Sequence, residues 1–370
     1  MKVLHLTSHL NIGGITSYLY QLLSGCKKMN IDCALGAREG ACKNKFLTLD
    51  IPVYALPFTK NVLSPHLLPI LYALKKKHEK QCWEIIHAHT RVSQFAAHWL
   101  SKILHIPYVT TFHGHYNHHW GRQIFPCLGA QTIAVSHAVE ADLQSHYIRH
   151  DPKISVILHG IDTDFFSPSR INLREKTDFQ HRYQLQSVPT LGILSRLAAE
   201  KGHLELVDIF HRLLHQFKKP LQLLIIGEGR EKNSILQRIK DLHLDTYVRI
   251  IPPQADPRIA LSLVDIYVTY HRGPEGFGLS TLEAMALGKP VVIAYTHGGL
   301  GDFIEDGKNG FLLKNASPQI MIDKILLLLD QSDLRKNMGN TNTEKIRRLF
   351  SVERMTKETL YVYEKALAAH

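Results

Sequence analysis

Short runs in which Val, Ile and Leu fall on consecutive positions alternate along this chain with helix-length segments that mix apolar and charged residues. The first series of runs is Val3–Thr7, Asp32–Gly36, Ile85–His89, Tyr108–Phe112, Thr132–Ser136 and Ser155–Leu158. The second is Leu191–Ser195, Leu221–Ile226, Val248–Ile251, Ile266–Thr269, Pro290–Ala294 and Gly310–Leu313. Consecutive apolar positions mark strands covered on both faces. Strands separated by helices predict parallel sheets built from right-handed crossover units. The two series therefore predict an α/β protein with two doubly wound parallel-sheet domains, residues 1–168 and 189–350. The polar, strand-poor stretch 169–188 reads as a linker, and 351–370 as a C-terminal helix (Ser351–Ala369) expected to pack back on the first domain. Ligands of open parallel sheets bind beyond the carboxyl ends of the strands, so two such domains facing each other predict a central cleft.

Composition narrows the class. The chain has 370 residues, enough for two domains, with 45% hydrophobic and 21% charged residues, which excludes wholesale disorder. The five Cys are odd in number and form no CxxC, which favours reduced thiols over a zinc or disulfide framework. No apolar run is long enough to span a bilayer and the start reads as no secretory signal, so a cytoplasmic protein is expected. Net charge is +11, and residues 1–170 carry 17 Lys+Arg against 10 Asp+Glu together with 16 of the 24 His. That basic first half suits anionic partners or serves solubility.

Four segments placed after strands carry candidate chemistry. Gly13-Gly14 precedes a helix over Ser17–Leu23, whose N-terminus offers N–H groups to a phosphate; the glycines also fit a plain turn. Arg196 and Lys201 follow the first strand of the second domain, and together suit a diphosphate if they are not simply solvated cations. Gly227-Glu228-Gly229 marks a tight turn. Gly273–Ala286 holds Glu275 in a loop, Gly276 and Gly278, then Glu283 within the following helix, where carboxylates are placed to accept from sugar hydroxyls. Ser280 and Glu283 also have the spacing of a capping box, which needs no ligand.

The segment from Glu275 to Glu283 resembles the glutamate-seven-residues-glutamate motif of the retaining nucleotide-sugar glycosyltransferases of family 4, which have the two-Rossmann GT-B fold. The other pieces follow in that family's order: Gly13-Gly14, His113-Gly114, Ser136, Gly160-Ile161-Asp162, Ser195-Arg196-Leu197, Glu200-Lys201-Gly202, Gly227-Glu228-Gly229, Gly298-Gly299 and Asn309-Gly310-Phe311. The resemblance implies that Arg196 and Lys201 bind the donor diphosphate and that Gly13, Gly14 and Gly227 line the donor. Glu283 would hold the ribose. Glu275 and the backbone of Phe277, Gly278 and Leu279 would contact the donor sugar, Ser280 would line the donor site, and His113, beside the reacting sugar, would be catalytic together with Glu275. It implies a UDP-, GDP- or ADP-linked donor as substrate, no cofactor and no metal. The acceptor would be a glycan or glycolipid of the cell envelope, in lipopolysaccharide or polysaccharide biosynthesis. Departures from the family pattern are His159 in place of Asn, Tyr270-His271-Arg272-Gly273 in place of Pro-Ser, and Leu300-Gly301-Asp302 after the late glycine pair.

Ile85–His89 and the loop His113–His119 are rich in imidazoles at predicted strand ends. No carboxylate or thiol lies within the loop to complete a metal set. His113 and His89 are taken as contacts to sugar or acceptor, and His115, His118 and His119 as loop residues. The segment Pro65–Leu74 running into Lys75-Lys76-Lys77 is either a helix lying on an anionic membrane face or a core-packed helix with a charged exit. Rival readings are a nucleotide-sugar epimerase of the same fold and a two-lobed sugar-binding protein. Nucleic acid is not expected as a partner, because no basic and aromatic interleaving stands out.

Overall fold

The structure, a computed structural model, describes residues 1–59, 61–62, 64–116, 120–147 and 153–370. It divides into two units, Met1–Gly160 with Val352–His370, and Ile161–Ser351.

The first unit holds a seven-stranded sheet: β1 (Lys2–His9), β2 (Asp32–Arg38), β3 (Val53–Ala55), β4 (Ile85–Ala88), β5 (Tyr108–Phe112), β6 (Gln131–Ala134) and β7 (Ile154–Val156). Its spatial order is β3-β2-β1-β4-β5-β6-β7 and every pairing is parallel. The second unit holds a six-stranded parallel sheet: β8 (Thr190–Leu194), β9 (Gln222–Ile226), β10 (Val248–Ile251), β11 (Ile266–Tyr270), β12 (Val291–Tyr295) and β13 (Phe311–Lys314), in the order β10-β9-β8-β11-β12-β13. Both orders reverse at the first strand of the unit, as doubly wound sheets do. The edge strand β3 was not anticipated, since three residues carry too little pattern to register.

Successive strand residues point to opposite faces, and each face of the first sheet is sealed separately. Leu4, Leu6, Ile86 and Ala88 pack under the helices Leu67–Gln81 and Arg91–Leu104 through Ile70, Leu74, Ala96 and Leu100. Val3, Leu35, Ile85, Val109 and Ile133 pack on the other side with Leu19, Leu22 and Leu23 of the helix Gly14–Lys28 and with Met355, Val362, Tyr363 and Ala366 of the C-terminal helix Val352–Ala368. That helix thus belongs to the first unit.

The unit boundary lies at Gly160, ahead of the predicted residue 168. The reason is local: Ile161 pairs with Ser351 and its N–H donates to Phe350 O at 2.9 Å, so the chain enters and leaves the second unit side by side. The stretch 169–188 also contains a helix, Leu173–Arg182, where a linker was expected. Asn172 starts it by accepting from the N–H groups of Arg174 and Glu175, and buried Phe179 anchors it.

No helix among the described residues is long and apolar enough to cross a membrane. All five cysteines are free. The helix Leu67–Gln81 buries Ile70, Leu71 and Leu74, while Leu68, Tyr72 and Lys75-Lys76-Lys77 are exposed.

Candidate functional site

In the second unit the loops after β8 and β11 are tied together. The N–H of Arg272 donates to Glu200 O at 3.0 Å. Gly202 takes φ +61°, and a Cβ there would stand 1.9 Å from Tyr270 O, so only glycine lets the two loops meet. A third loop joins through Glu275, whose N–H donates to His297 O and whose carbonyl accepts from Gly299. The glycines at 227 and 229 approach the carbonyls of Ser195 and Leu197 too closely for a Cβ, which accounts for both by packing within the chain.

These loops concentrate charge. Lys201 Nζ is ion-paired with Glu275 Oε2, and His271 Nδ1 lies 3.4 Å from the same oxygen. Burial pushes the Glu275 carboxyl up, but the Lys201 ammonium, His271 and the Gly276 N–H outweigh it, and its net shift is downward. Glu275 is therefore an anion held ready beside a cation. Arg196 instead stands largely in solvent, 2.6 Å from Glu200. The predicted pair of cations is thus one inner ammonium and one outer guanidinium, each facing a carboxylate.

The helix Leu279–Ala286 begins here, with Gly278 as N-cap at φ +98°. Ser280 is therefore the second residue inside the helix and no side chain caps it, so the capping-box reading of Ser280 and Glu283 is set aside. The Ser280 hydroxyl meets the Tyr267 hydroxyl at 3.0 Å instead. Burial raises the Tyr267 phenol, and the charges of Glu283 and Glu275 raise it further, against the lowering effect of its bonds to Ser280 and Leu194. Phe277 turns its side chain inward onto Phe303 and Phe350, leaving only its backbone for a ligand.

In the first unit Gly13 and Gly14 are exposed, and a Cβ on either would meet nothing within 4 Å. Neither packing nor dihedral angle demands glycine there. One turn into that helix, the Tyr18 ring lies 4.7 Å from the His113 ring at the end of β5. Behind His113 the structure corrects one expectation. His89 is fully buried, with its nitrogens 3.2 Å from His5 Nδ1 and 3.4 Å from His113 Nε2, so it faces protein and not a sugar. His115 lies 3.8 Å from Asp142, while His118 and His119 lie outside the described residues. The residues that sequence reasoning passed over are His5, His87, Tyr267 and His271. For His87 a signal existed: it alternates with His89 at the end of an apolar run, which aims both toward one core face.

One nitrogen from each of His5, His87 and His89 falls within a cluster 4.8 Å across, a spacing compatible with a metal ion. Both nitrogens of His87 are already engaged, however, by Tyr363 Oη at 2.6 Å and Thr111 Oγ1 at 2.7 Å.

The buried imidazoles make stability depend on pH. Burial, helped by the Lys201 charge, pulls His203 and His271 down from the usual value near 6.5 to about 4. Between those values the unfolded chain binds protons that the folded one refuses, so stability is full above pH 6.5 and falls as pH drops toward 4. Each such residue is worth roughly 3 kcal/mol across that window. Melting temperature should therefore fall steeply from pH 7.5 to 4.5, and an unchanged melting temperature would contradict the buried, neutral assignment.

Residues 12–165 match the family described as Glycosyltransferase Family 4, and residues 175–345 match Glycosyl transferases group 1. The D-inositol 3-phosphate glycosyltransferase of Corynebacterium urealyticum is 27% identical over 90% of this chain and 80% of its own length. A glycosyltransferase structure from Rickettsia africae ESF-5 superposes with a TM-score of 0.86 at 22% identity, covering 99% of this chain and 98% of that one. The Anabaena protein Alr3699/HepE in complex with UDP and glucose superposes with a TM-score of 0.84 at 21% identity, over 98% and 99% of the two chains. These neighbours have the GT-B glycosyltransferase architecture.

Proposed function

Because the chain belongs to the family-4 glycosyltransferases, we propose that it moves a sugar from a nucleoside-diphosphate sugar to a hydroxyl of a cell-envelope glycan or glycolipid, with retention at the anomeric carbon. The observation that carries this reading is the cluster of Lys201, Glu275 and His271 beside the start of the helix Leu279–Ala286, with Arg196 outside it. Lys201 and Arg196 bind the diphosphate, exchanging their present carboxylate partners for phosphate oxygens. The N–H groups at the helix start, from Gly278 to Ser280, add partial positive charge. Glu283 accepts from the ribose, and Glu275, freed from Lys201, accepts from hydroxyls of the donor sugar. Within the first unit, Gly13 and Gly14 leave a helix start open to a phosphate, and His113 is a candidate contact to a sugar.

In the reaction the bond from the anomeric carbon to the phosphate oxygen breaks. The acceptor oxygen forms its bond on the same face, and the acceptor proton passes to the departing diphosphate. The cations and helix N–H groups stabilise the charge that collects on that leaving group, so the step needs no metal and no further cofactor. The Anabaena neighbour bound to UDP and glucose makes a UDP-linked hexose the first donor to try. The exposed Leu68 and Tyr72 next to Lys75-Lys76-Lys77 suit a peripheral contact with an anionic membrane, from the cytoplasmic side.

The test is a melting screen with UDP, GDP, ADP and their sugars, followed by NMR of the product. A diphosphate at ~100 times its dissociation constant should add about 2.7 kcal/mol. The product should keep the donor's anomeric configuration. An inverted product, or free epimerised donor with no acceptor consumed, would refute the reading.

A further inference from the structure

The first unit carries an exposed apolar surface that the proposed reaction does not use. The helices Leu67–Gln81 and Arg91–Leu104 lie side by side over one face of the first sheet. On the second of them Phe95, Trp99 and Ile103 follow one another at four-residue spacing and form one stripe. Ala96 and Leu100 turn to the sheet, whereas Trp99 and Ile103 are exposed. The Phe95 ring stands 6.4 Å from the Trp99 ring and 6.4 Å from the Phe125 ring, which joins the stripe to the segment Trp120–Phe125 between β5 and β6. There Trp120 is 79% exposed, and Ile124 and Phe125 are exposed beside it. Leu68 and Tyr72 stand out from the neighbouring helix. Two of the chain's three tryptophans thus lie in this surface, while Trp83 is buried. We infer that this surface, with Trp99 and Trp120 as its anchors, docks on a bilayer of anionic lipids.

The charge around the rings selects that occupant. Between Glu84 and Glu140 the sequence holds no Asp or Glu, and residues 64–139 carry seven Lys and Arg against two Glu. Two of these cations stand at exposed rings. Lys102 Nζ lies 5.2 Å from the centre of the Trp99 ring, and Lys76 Nζ lies 4.7 Å from that of Tyr72. An amphipathic ring with an ammonium beside it fits the boundary between acyl chains and headgroups: the ring meets hydrocarbon, and the long cationic stem reaches lipid phosphate. The aliphatic tips of Leu68, Ile103 and Ile124 gain from hydrocarbon and find no counterpart on the phosphates of a nucleic acid. A second copy of this chain meets a different obstacle, because a two-fold interface would press this cationic, carboxylate-poor surface against itself. The inference deepens the membrane contact proposed above, extending it from Leu68, Tyr72 and the three lysines to a second helix and a loop segment. Trp120–Phe125 belongs to the connection between β5 and β6 that opens with His113, so the docked surface and the candidate sugar contact share one loop. A lipid-anchored acceptor is the class of substrate that this arrangement suits. That consequence rests on the glycosyltransferase reading; the docking itself does not.

Cosedimentation with vesicles tests this, read together with tryptophan fluorescence. The vesicles are phosphatidylcholine alone, and phosphatidylcholine with phosphatidylglycerol in equal parts. The whole protein should bind the mixed vesicles at least about tenfold more tightly than the neutral ones. Its tryptophan emission should shift to the blue, and lipids brominated along the acyl chain should quench it, because Trp99 and Trp120 enter hydrocarbon. The double variant Trp99→Ser with Trp120→Ser should lose about tenfold or more in binding with little change in melting temperature. Lys102→Glu should weaken binding as well, and most at low salt, where charge is least screened. A wild-type protein that ignores the mixed vesicles overturns the inference. So does binding without blue shift or quenching, which would leave the basic helix Leu67–Gln81 as the whole contact; neither result depends on a variant folding. A folded double variant that binds as tightly as wild type also overturns it, as does a wild-type dimer that the double variant breaks apart, or a tighter hold on RNA than on the mixed vesicles. A preparation that docks with the expected signals but transfers no sugar refutes the function and leaves the docking surface standing.

Discussion

Arg196→Ala and Lys201→Ala should each weaken nucleoside-diphosphate binding by an order of magnitude or more while leaving nucleoside binding nearly unchanged. A hydrogen bond to a charged group contributes roughly 1.5–3 kcal/mol, which sets that factor. The two variants should differ in stability. Arg196 is largely solvent-exposed and its pair with Glu200 is a surface contact, so its loss should barely move the melting temperature. Lys201 and Glu275 are largely buried, and removing the ammonium strands a carboxylate, a change that costs roughly 3–5 kcal/mol in comparable sites. His271 would then lose the cation that helps hold its pKa down, and would take up a proton more readily beside the uncompensated carboxylate. The double variant Lys201→Ala with Glu275→Gln separates the effects: it should recover melting temperature but not diphosphate affinity. Calorimetric titration with UDP and with uridine, alongside melting curves, decides it. Equal UDP affinities in wild type and both single variants would remove these cations from the donor site.

The strands were legible because burial on both faces writes consecutive Val and Ile into the sequence, and the loops after them could be placed by counting. The edge strand Val53–Ala55 was not legible, because its pairing partner β2 and not its own pattern makes it a strand. The helix Leu173–Arg182 was hidden for the opposite reason: only Phe179 is buried on it, so it reads as a charged linker. Within the candidate site, sequence could name Lys201 and Glu275 but not pair them, since 74 positions separate them. The same holds for His5 and His89, 84 apart. Their contact depends on strand register, which places His5 opposite His87, two positions from His89. His271 was seen only as a departure from a family pattern, although it closes on the carboxylate at the heart of the cluster.

Glu283 gives the second large effect, and the structure has sharpened its test. With Gly278 as the N-cap and the Ser280 hydroxyl engaged by Tyr267, Glu283 no longer has a capping role that could explain its place. It stands one turn inside the helix, half-buried, and its charge is felt at the same phenol as that of Glu275. Glu283→Gln keeps the length and an acceptor oxygen but removes the charge. If the carboxylate accepts from ribose hydroxyls, donor affinity should fall by an order of magnitude or more, the worth of a charge-assisted hydrogen bond. Melting temperature should change little, because glutamine keeps the side chain's length and an acceptor oxygen while removing a charge that raises a buried phenol. Glu283→Ala should lose at least as much donor affinity with little change in stability, since alanine is the best helix former. The pair of variants therefore predicts a binding defect without a folding defect. The reverse pattern, a lower melting temperature with full UDP affinity, would make Glu283 a structural residue. A Gln variant silent in both measurements would take the motif's second glutamate out of the site, leaving Glu275 and Lys201 to hold the donor without a contact to its ribose.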